Sequence, residues 1–221
     1  KNLFITSRLN IVDNNPKSNQ PFFSQCRKFF ILFNGEIYNY LELRRVLQSE
    51  GYSFSSNSDT EVILVMFKKY GIECVKYLEG MFAFGLFDKA TNKTYLVRDR
   101  FGEKPIYYAF KGESLYFASE IKSIKAYLSG ITIDQQVLQN YLDEKLVIDN
   151  SITFFKDVYA LEPATYLIVS KNKFEKKKYW NIELKEDNVS FTESKTKFQT
   201  LFNKSIQLRL RSDVPVGSSL S

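Results

Sequence analysis

The sequence predicts an α+β domain. Three features carry that reading: apolar stretches that pair across short polar turns as hairpins, strands apolar on both faces, and intervening segments with helix start and stop signals. In chain order, "RLNIVD" (Arg8 to Asp13) reads as a short strand running into the loop "NNPKSNQP". "KFFILFNG" is a strand closed by an Asn-Gly turn, since both residues tolerate positive φ. The turn leads into a helix from Tyr40 to Glu50, with Gly51 placed as its C-terminal cap. "SDTE" (Ser58 to Glu61) has the spacing of a capping box and opens the helix "TEVILVMFKKY", which stops at Gly71.

Three hairpins follow: "MFAFGLFD" and "KTYLVRD" around "KATN", "PIYYAF" and "SLYFAS" around "KGE", and "ATYLIVSKNKFEKKKYW". Phe82, Phe84 and Phe87 read as core. Composition changes after Trp180, where "NIELKEDNVS" is polar and linker-like. Phe198, Leu201, Phe202, Ile206, Leu208 and Leu210 then recur at helical spacing, and "VPVGSSLS" begins like a strand. The division expected is one domain over 1–184 and the opening of a second over 185–221.

The 221 residues suffice for one domain and part of another, and the start at Lys1 instead of Met points to a fragment or a processed form. With 44% hydrophobic and 16% aromatic residues the chain can build a sizeable core. No apolar run reaches the roughly 18 residues of a membrane helix. Cys26 and Cys74 have neither metal-ligand nor disulfide spacing, so they read as reduced, packed residues of a cytoplasmic protein, and no metal site is expected. The net charge of +6 comes from dispersed lysines, densest in "KNKFEKKKYW", which read as a solvated flank and not as a nucleic-acid surface. The chain has no histidine. That excludes Ser-His-Asp and Cys-His nucleophiles, imidazole acid–base steps and His-bound metals. Proton transfer in such an enzyme falls to carboxylates, lysine, water or a terminal amine.

Within "FNGE", the Asn34 amide and the adjacent Gly35 N–H can address one point, as an oxyanion hole requires. Arg8 can clamp a carboxylate with its guanidinium. Asp59, in the first turn of a helix whose macrodipole keeps it ionised, can hold an ammonium, and Glu36 offers a second anion. Together they suit an α-amino acid. Each also has a plainer reading: an ordinary turn, a surface charge, a helix-capping residue. "RDRFGEKPIYY" carries Arg98, Asp99 and Arg100, which read as a salt-bridged structural corner, with an inter-domain contact as the alternative.

The motifs "SRLNIVD", "FNGEIYNYLELR", "SDTEVIL", "LEGMFAFGLFD", "VRDRFGEKPIYYA" and "LYFASEIKSI" resemble the glutaminase domain of glutamine-hydrolysing asparagine synthetases. "RSDVPVGSSLS" resembles the start of their ATP-binding synthetase domain. The resemblance runs from about Ser7 to Ser221. It implies a four-layer αββα sandwich, the N-terminal-nucleophile hydrolase fold, followed by the first helix and strand of an α/β ATP-pyrophosphatase domain. In that family an N-terminal cysteine attacks the glutamine carboxamide with its own α-amine as base, so no imidazole is needed. Carried over, Asn34 and Gly35 match the oxyanion hole, Arg8 the α-carboxylate contact, and Asp59 with Glu36 the contacts to the amino group. Leu9, Asn10, Ile11 and Val12 complete the matched glutamine-binding segment, and Leu220 and Ser221 lead the ATP-binding turn.

The implied partners are L-glutamine and, in the complete protein, ATP with Mg2+ and a carboxylate acceptor, either aspartate or a sugar acid. Membrane and nucleic acid are not among them, and a homodimer stays open. Two departures matter. Seven residues precede Arg8 and none is cysteine, and Leu220 and Ser221 are the last residues of the match. The chain as given is therefore expected neither to hydrolyse glutamine nor to bind ATP unaided. Asn10 stands where the family commonly has serine. A non-catalytic scaffold of the same fold, as in β-lactam synthetase, and an amidotransferase with another partner domain, such as glucosamine phosphate synthase, are the alternatives. "RSDVPVGSSLS" argues against the latter.

Overall fold

A computed structural model describes residues 3–9, 11–144, 151–171, 173–184, 186 and 188–217. Its elements are β1 (Phe22–Phe23), β2 (Phe29–Ile37), α1 (Tyr40–Ser49), α2 (Asp59–Tyr70), β3 (Gly80–Asp88) and β4 (Lys93–Arg98), then β5 (Tyr107–Lys111) and β6 (Ser114–Ala118). They continue with α3 (Ile121–Tyr127), α4 (Gln135–Glu144), β7 (Val158–Ala160), β8 (Thr165–Ser170), β9 (Lys173–Lys178) and α5 (Phe191–Arg209). Two sheets result, a six-stranded one in the order β1-β2-β3-β4-β8-β9 and a three-stranded one in the order β6-β5-β7. All the strand pairs are antiparallel.

The side-chain alternation of the strands explains the layers. Phe82, Phe84 and Leu86 of β3, Tyr95 and Val97 of β4 and Tyr166 of β8 pack with Leu47 of α1 and Val62, Ile63 and Phe67 of α2. The intervening residues Ala83, Leu96 and Leu167 face the other way and meet Ile106, Tyr108 and Leu161 between the sheets. On the far face of the small sheet, Ala109 and Val158 pack with Ile124 and Leu128 at α3. Helices, sheet, sheet and helix thus form the four-layer αββα sandwich that the resemblance implies. Strands covered on both faces need apolar residues on both sides, and the central residues of β3, β4 and β8 supply them. Phe82 and Phe84 are fully buried, whereas Phe87 is half-buried, in ring contact with Phe30 and Phe4.

All three expected hairpins form, and α1 and α2 begin and end within a residue of their sequence signals. Several local readings are corrected. Asn34, Gly35 and Glu36 make no turn but lie inside β2, whose nine residues pair continuously with β3 from Phe29↔Asp88 to Ile37↔Gly80. The described residues of "RLNIVD" form no strand, because no sheet edge pairs with them. Ser58 caps α2 through Thr60 N, but Glu61 does not close a capping box; its carboxylate instead takes the N–H and hydroxyl groups of Ser55 and Ser56. Cys26 is exposed in the β1–β2 turn, not packed, whereas Cys74 is fully buried.

Helix α5 forms with a true capping box at Ser190 and Glu193, yet it buries none of its residues. Residues 214–217 form no strand, and Asn10, Leu220 and Ser221 lie outside the described residues. Among the described residues no helix is long and apolar enough to cross a membrane, and no cluster of three or more His, Cys, Asp or Glu could hold a metal ion.

Candidate functional site

Every described residue of the expected glutamine-binding set lines one cavity of about 1220 Å³: Arg8, Leu9, Ile11 and Val12 from the segment before β1, Asn34, Gly35 and Glu36 from β2, and Asp59 from α2. Val12 is buried, and Leu9, 82% exposed, sits at the rim. The cavity continues between the sheets, past Phe84 of β3 and Phe117 of β6.

Strand alternation sets the main-chain donors. Phe82 donates its N–H to Asp99 Oδ2 at 3.1 Å and accepts from Asp99 N at 2.8 Å, so its hydrogen-bonding edge faces β4. Its pair with Gly35 is therefore the close, non-hydrogen-bonded kind, and the Gly35 N–H turns away from β3. The same outer edge of β2 carries the N–H groups of Phe33 and Ile37. Gln20 Oε1 accepts from Phe33 N at 2.7 Å, and Asp59 Oδ2 accepts from Ile37 N at 3.0 Å. Gly35 lies between them, beyond the end of β1 and facing the cavity. Close approach also explains the glycine. With φ at 141°, an added Cβ would lie 2.0 Å from the Met81 carbonyl oxygen and 2.7 Å from Phe82 Cα. The Asn34 amide beside it donates to Ser119 Oγ at 3.2 Å.

Arg8 is half-buried and anchored through one nitrogen, since Nη2 donates to the carbonyls of Val12 at 2.6 Å and Asp13 at 2.9 Å. Its Nη1 is buried and has no hydrogen-bond partner among the described residues. Asp59 is 4% exposed. Burial pushes its carboxyl up to about 6, more than the Ile37 and Thr60 N–H groups and the Arg8 charge can offset, and Glu36 adds to the rise. Helix position alone thus does not keep Asp59 ionised through the acid range. Burial also raises Glu36, with Lys104 opposing it.

Lys104 and Ser119 line the cavity too and were not singled out from the sequence. The charged corner positions Lys104 without a salt bridge between its members. Asp99, fully buried, accepts from the N–H groups of Phe82, Phe101, Glu103 and Lys104. Arg98 donates to the carbonyls of Gly102, Lys104 and Leu161, and Arg100 to those of Lys76 and Leu78. Each charge satisfies main-chain groups that the turn leaves unpaired. The corner is structural, as expected, by a different bonding pattern.

The structure of glutamine phosphoribosylpyrophosphate amidotransferase from Bacillus subtilis has this fold, with a TM-score of 0.52 at 22% identity over 73% of this chain and 32% of that one. Residues 3–180 match the family described as "glutamine amidotransferase domain", and the chain belongs to that family. "Asparagine synthetase [glutamine-hydrolyzing] 1" of Bacillus subtilis is 37% identical over 215 residues, 97% of this chain and 34% of that protein. "Amidase chry2" of Gibberella zeae is 34% identical over 219 residues, 97% of this chain and 32% of that protein. The chain spans about a third of the length of these curated relatives.

Proposed function

We propose that this domain binds L-glutamine and that, in the complete protein, its carboxamide is hydrolysed to supply ammonia for ATP-dependent amidation of a carboxylate, aspartate or a sugar acid. The observation that carries the reading is Arg8: one guanidinium nitrogen locked by main-chain carbonyls, the other buried and unpartnered beside a cavity that also holds the Asp59 carboxylate. A buried cationic donor without a partner is costly, and an α-carboxylate satisfies it. The α-ammonium then pairs with Asp59 and Glu36. The glutamine side chain runs along the outer edge of β2, where the Asn34 amide and the Gly35 N–H receive the carbonyl oxygen as it gains negative charge.

Neither cysteine of the chain suits the attack. Burial pushes the Cys74 thiol far up, and Cys26 stands outside the cavity lining. We assign the attack to an N-terminal cysteine of the complete protein, whose α-amine takes the thiol proton and passes it to the departing ammonia. Residues 185–221 are read as the opening of the synthetase domain, whose further chain would cover the bare apolar side of α5.

Two measurements test the glutamine site. In the complete protein, Arg8→Ala should raise the glutamine KM at least about tenfold while leaving kcat within about twofold, the mark of lost uniform binding to a charged group. An unchanged KM would remove the carboxylate clamp. The second is a pH profile. Asp59 ionises near 6, above the 3.8 of an unperturbed aspartate, so it holds an ammonium above that pH and loses it below. Glutamine kcat/KM should therefore fall as pH drops through about 6, and Asp59→Asn should be poor across the range. A profile flat down to pH 4 contradicts the pairing with Asp59.

A further inference from the structure

After α5 the chain returns to the Ile11–Asp13 segment that follows Arg8. Asp213 N donates to the Ile11 carbonyl at 3.0 Å, and Asp213 Oδ2 accepts from Asp13 N at 2.7 Å. Ser212 Oγ donates to the same Ile11 carbonyl at 3.4 Å. Arg211 fixes the segment from the other side, with a two-pronged contact to the Glu42 carboxylate and a hydrogen bond to the Tyr38 carbonyl at 2.8 Å. The Arg209 guanidinium lies 4.9 Å from the Tyr38 ring centroid.

What Asp213 holds is the piece of main chain that aims Arg8. The carbonyls of Val12 and Asp13 anchor Arg8 Nη2, and they sit directly after and within the stretch gripped at Ile11 and Asp13. The Asp13 carboxylate extends the lock toward α2, accepting from Ser18 Oγ at 2.6 Å and from Asn57 N at 2.8 Å, just ahead of the α2 cap. One unit thus joins the segment after α5, the Arg8 loop and the start of the helix that carries Asp59.

We propose that Asp213 is a positioning residue for the glutamine pocket, locking the Ile11–Asp13 main chain so that Arg8 Nη1 faces the cavity. The proposal rests on the glutamine-binding reading above. It makes the coupling reciprocal: an α-carboxylate that fixes Arg8 also favours the docked state of residues 211–213, which lead into the segment read as the synthetase opening. Asp213 touches no reacting atom, and its effect passes through the loop.

The test uses the full-length protein and two readouts, glutaminase kinetics and hydrogen exchange at the amides of residues 11–13 and 213. Asp213→Ala should raise the glutamine KM about fivefold with kcat within about twofold, and Asp213→Asn, which keeps an acceptor oxygen, should restore most of the loss. Exchange over residues 11–13 should quicken in Asp213→Ala, and glutamine should slow exchange at Asp213 in the wild type. Because Asp213 is a surface residue, Arg211→Ala/Asp213→Ala serves as the stronger release of the segment. An unchanged KM in both variants alongside faster exchange overturns the proposal, as does an asparagine variant as impaired as the alanine one. If the wild type neither binds nor hydrolyses glutamine, the functional reading fails. Exchange alone then judges the lock: quickened in Asp213→Ala it stands, unchanged it falls.

Discussion

Asn34→Ala is expected to slow glutamine hydrolysis by the complete protein about a hundredfold or more, the usual loss when one oxyanion donor is removed. The effect belongs in kcat, because the Asn34 amide meets the carbonyl oxygen most strongly once that oxygen carries charge. The amide rests on the Ser119 hydroxyl at 3.2 Å, an exposed contact that a developing oxyanion can displace. Stability should therefore barely change, which separates this variant from one that damages the fold. Steady-state kinetics and a denaturant curve on the same preparation decide the matter. Wild-type turnover would remove Asn34 from the mechanism.

Gly35→Ala should do the reverse and strike the fold first. Gly35 pairs with Phe82 in a nine-residue ladder, at a φ of 141° that side chains rarely adopt, and its added methyl would meet the Met81 carbonyl oxygen at 2.0 Å. The obstruction is main chain of the neighbouring strand, so no rotamer change relieves it. Either β2 and β3 separate locally or the ladder breaks, at more than about 3 kcal/mol. The expected outcome is a large drop in the unfolding midpoint, or failure to accumulate folded protein, with glutaminase activity lost alongside. A folded variant within about 1 kcal/mol of the wild type would mean that the strands are not so closely apposed at Gly35.

The contrast between these neighbours shows what the sequence could and could not reveal. The hairpins were legible because polar turns such as "KATN" and "KGE" separate runs with apolar residues on both faces, and such runs belong in sheets covered on both sides. "FNGE" was misread for an equally physical reason. The turn preference of Asn-Gly is local, and it yields to the pairing of nine residues of β2 with β3, which no window around Asn34 contains. "RLNIVD" has strand-like residues but no sheet edge to pair with. In "SDTE" the capping-box spacing was present, yet Glu61 found four donors on Ser55 and Ser56 instead.

Site residues divide in the same way. Arg8, Asn34, Gly35, Glu36 and Asp59 could be joined only through the resemblance, since spacing says nothing about meeting in space, and the structure gathers them around one cavity. Ser119 and Lys104 were not singled out, because spacing does not show which distant residues meet: Asn34 and Ser119 are 85 residues apart and touch only in the folded chain. The ionisation of Asp59 was misjudged because its burial is tertiary. A helix N-terminus favours a carboxylate, but desolvation at 4% exposure outweighs it.

A domain built around glutamine should release glutamate from L-glutamine in the full-length protein, measured with L-asparagine and D-glutamine as controls. Saturable hydrolysis of L-glutamine alone is expected, slowed at least about tenfold by Arg8→Ala at sub-saturating substrate. Absence of both hydrolysis and glutamine binding in a folded full-length protein would contradict it and leave the domain a scaffold of the same fold.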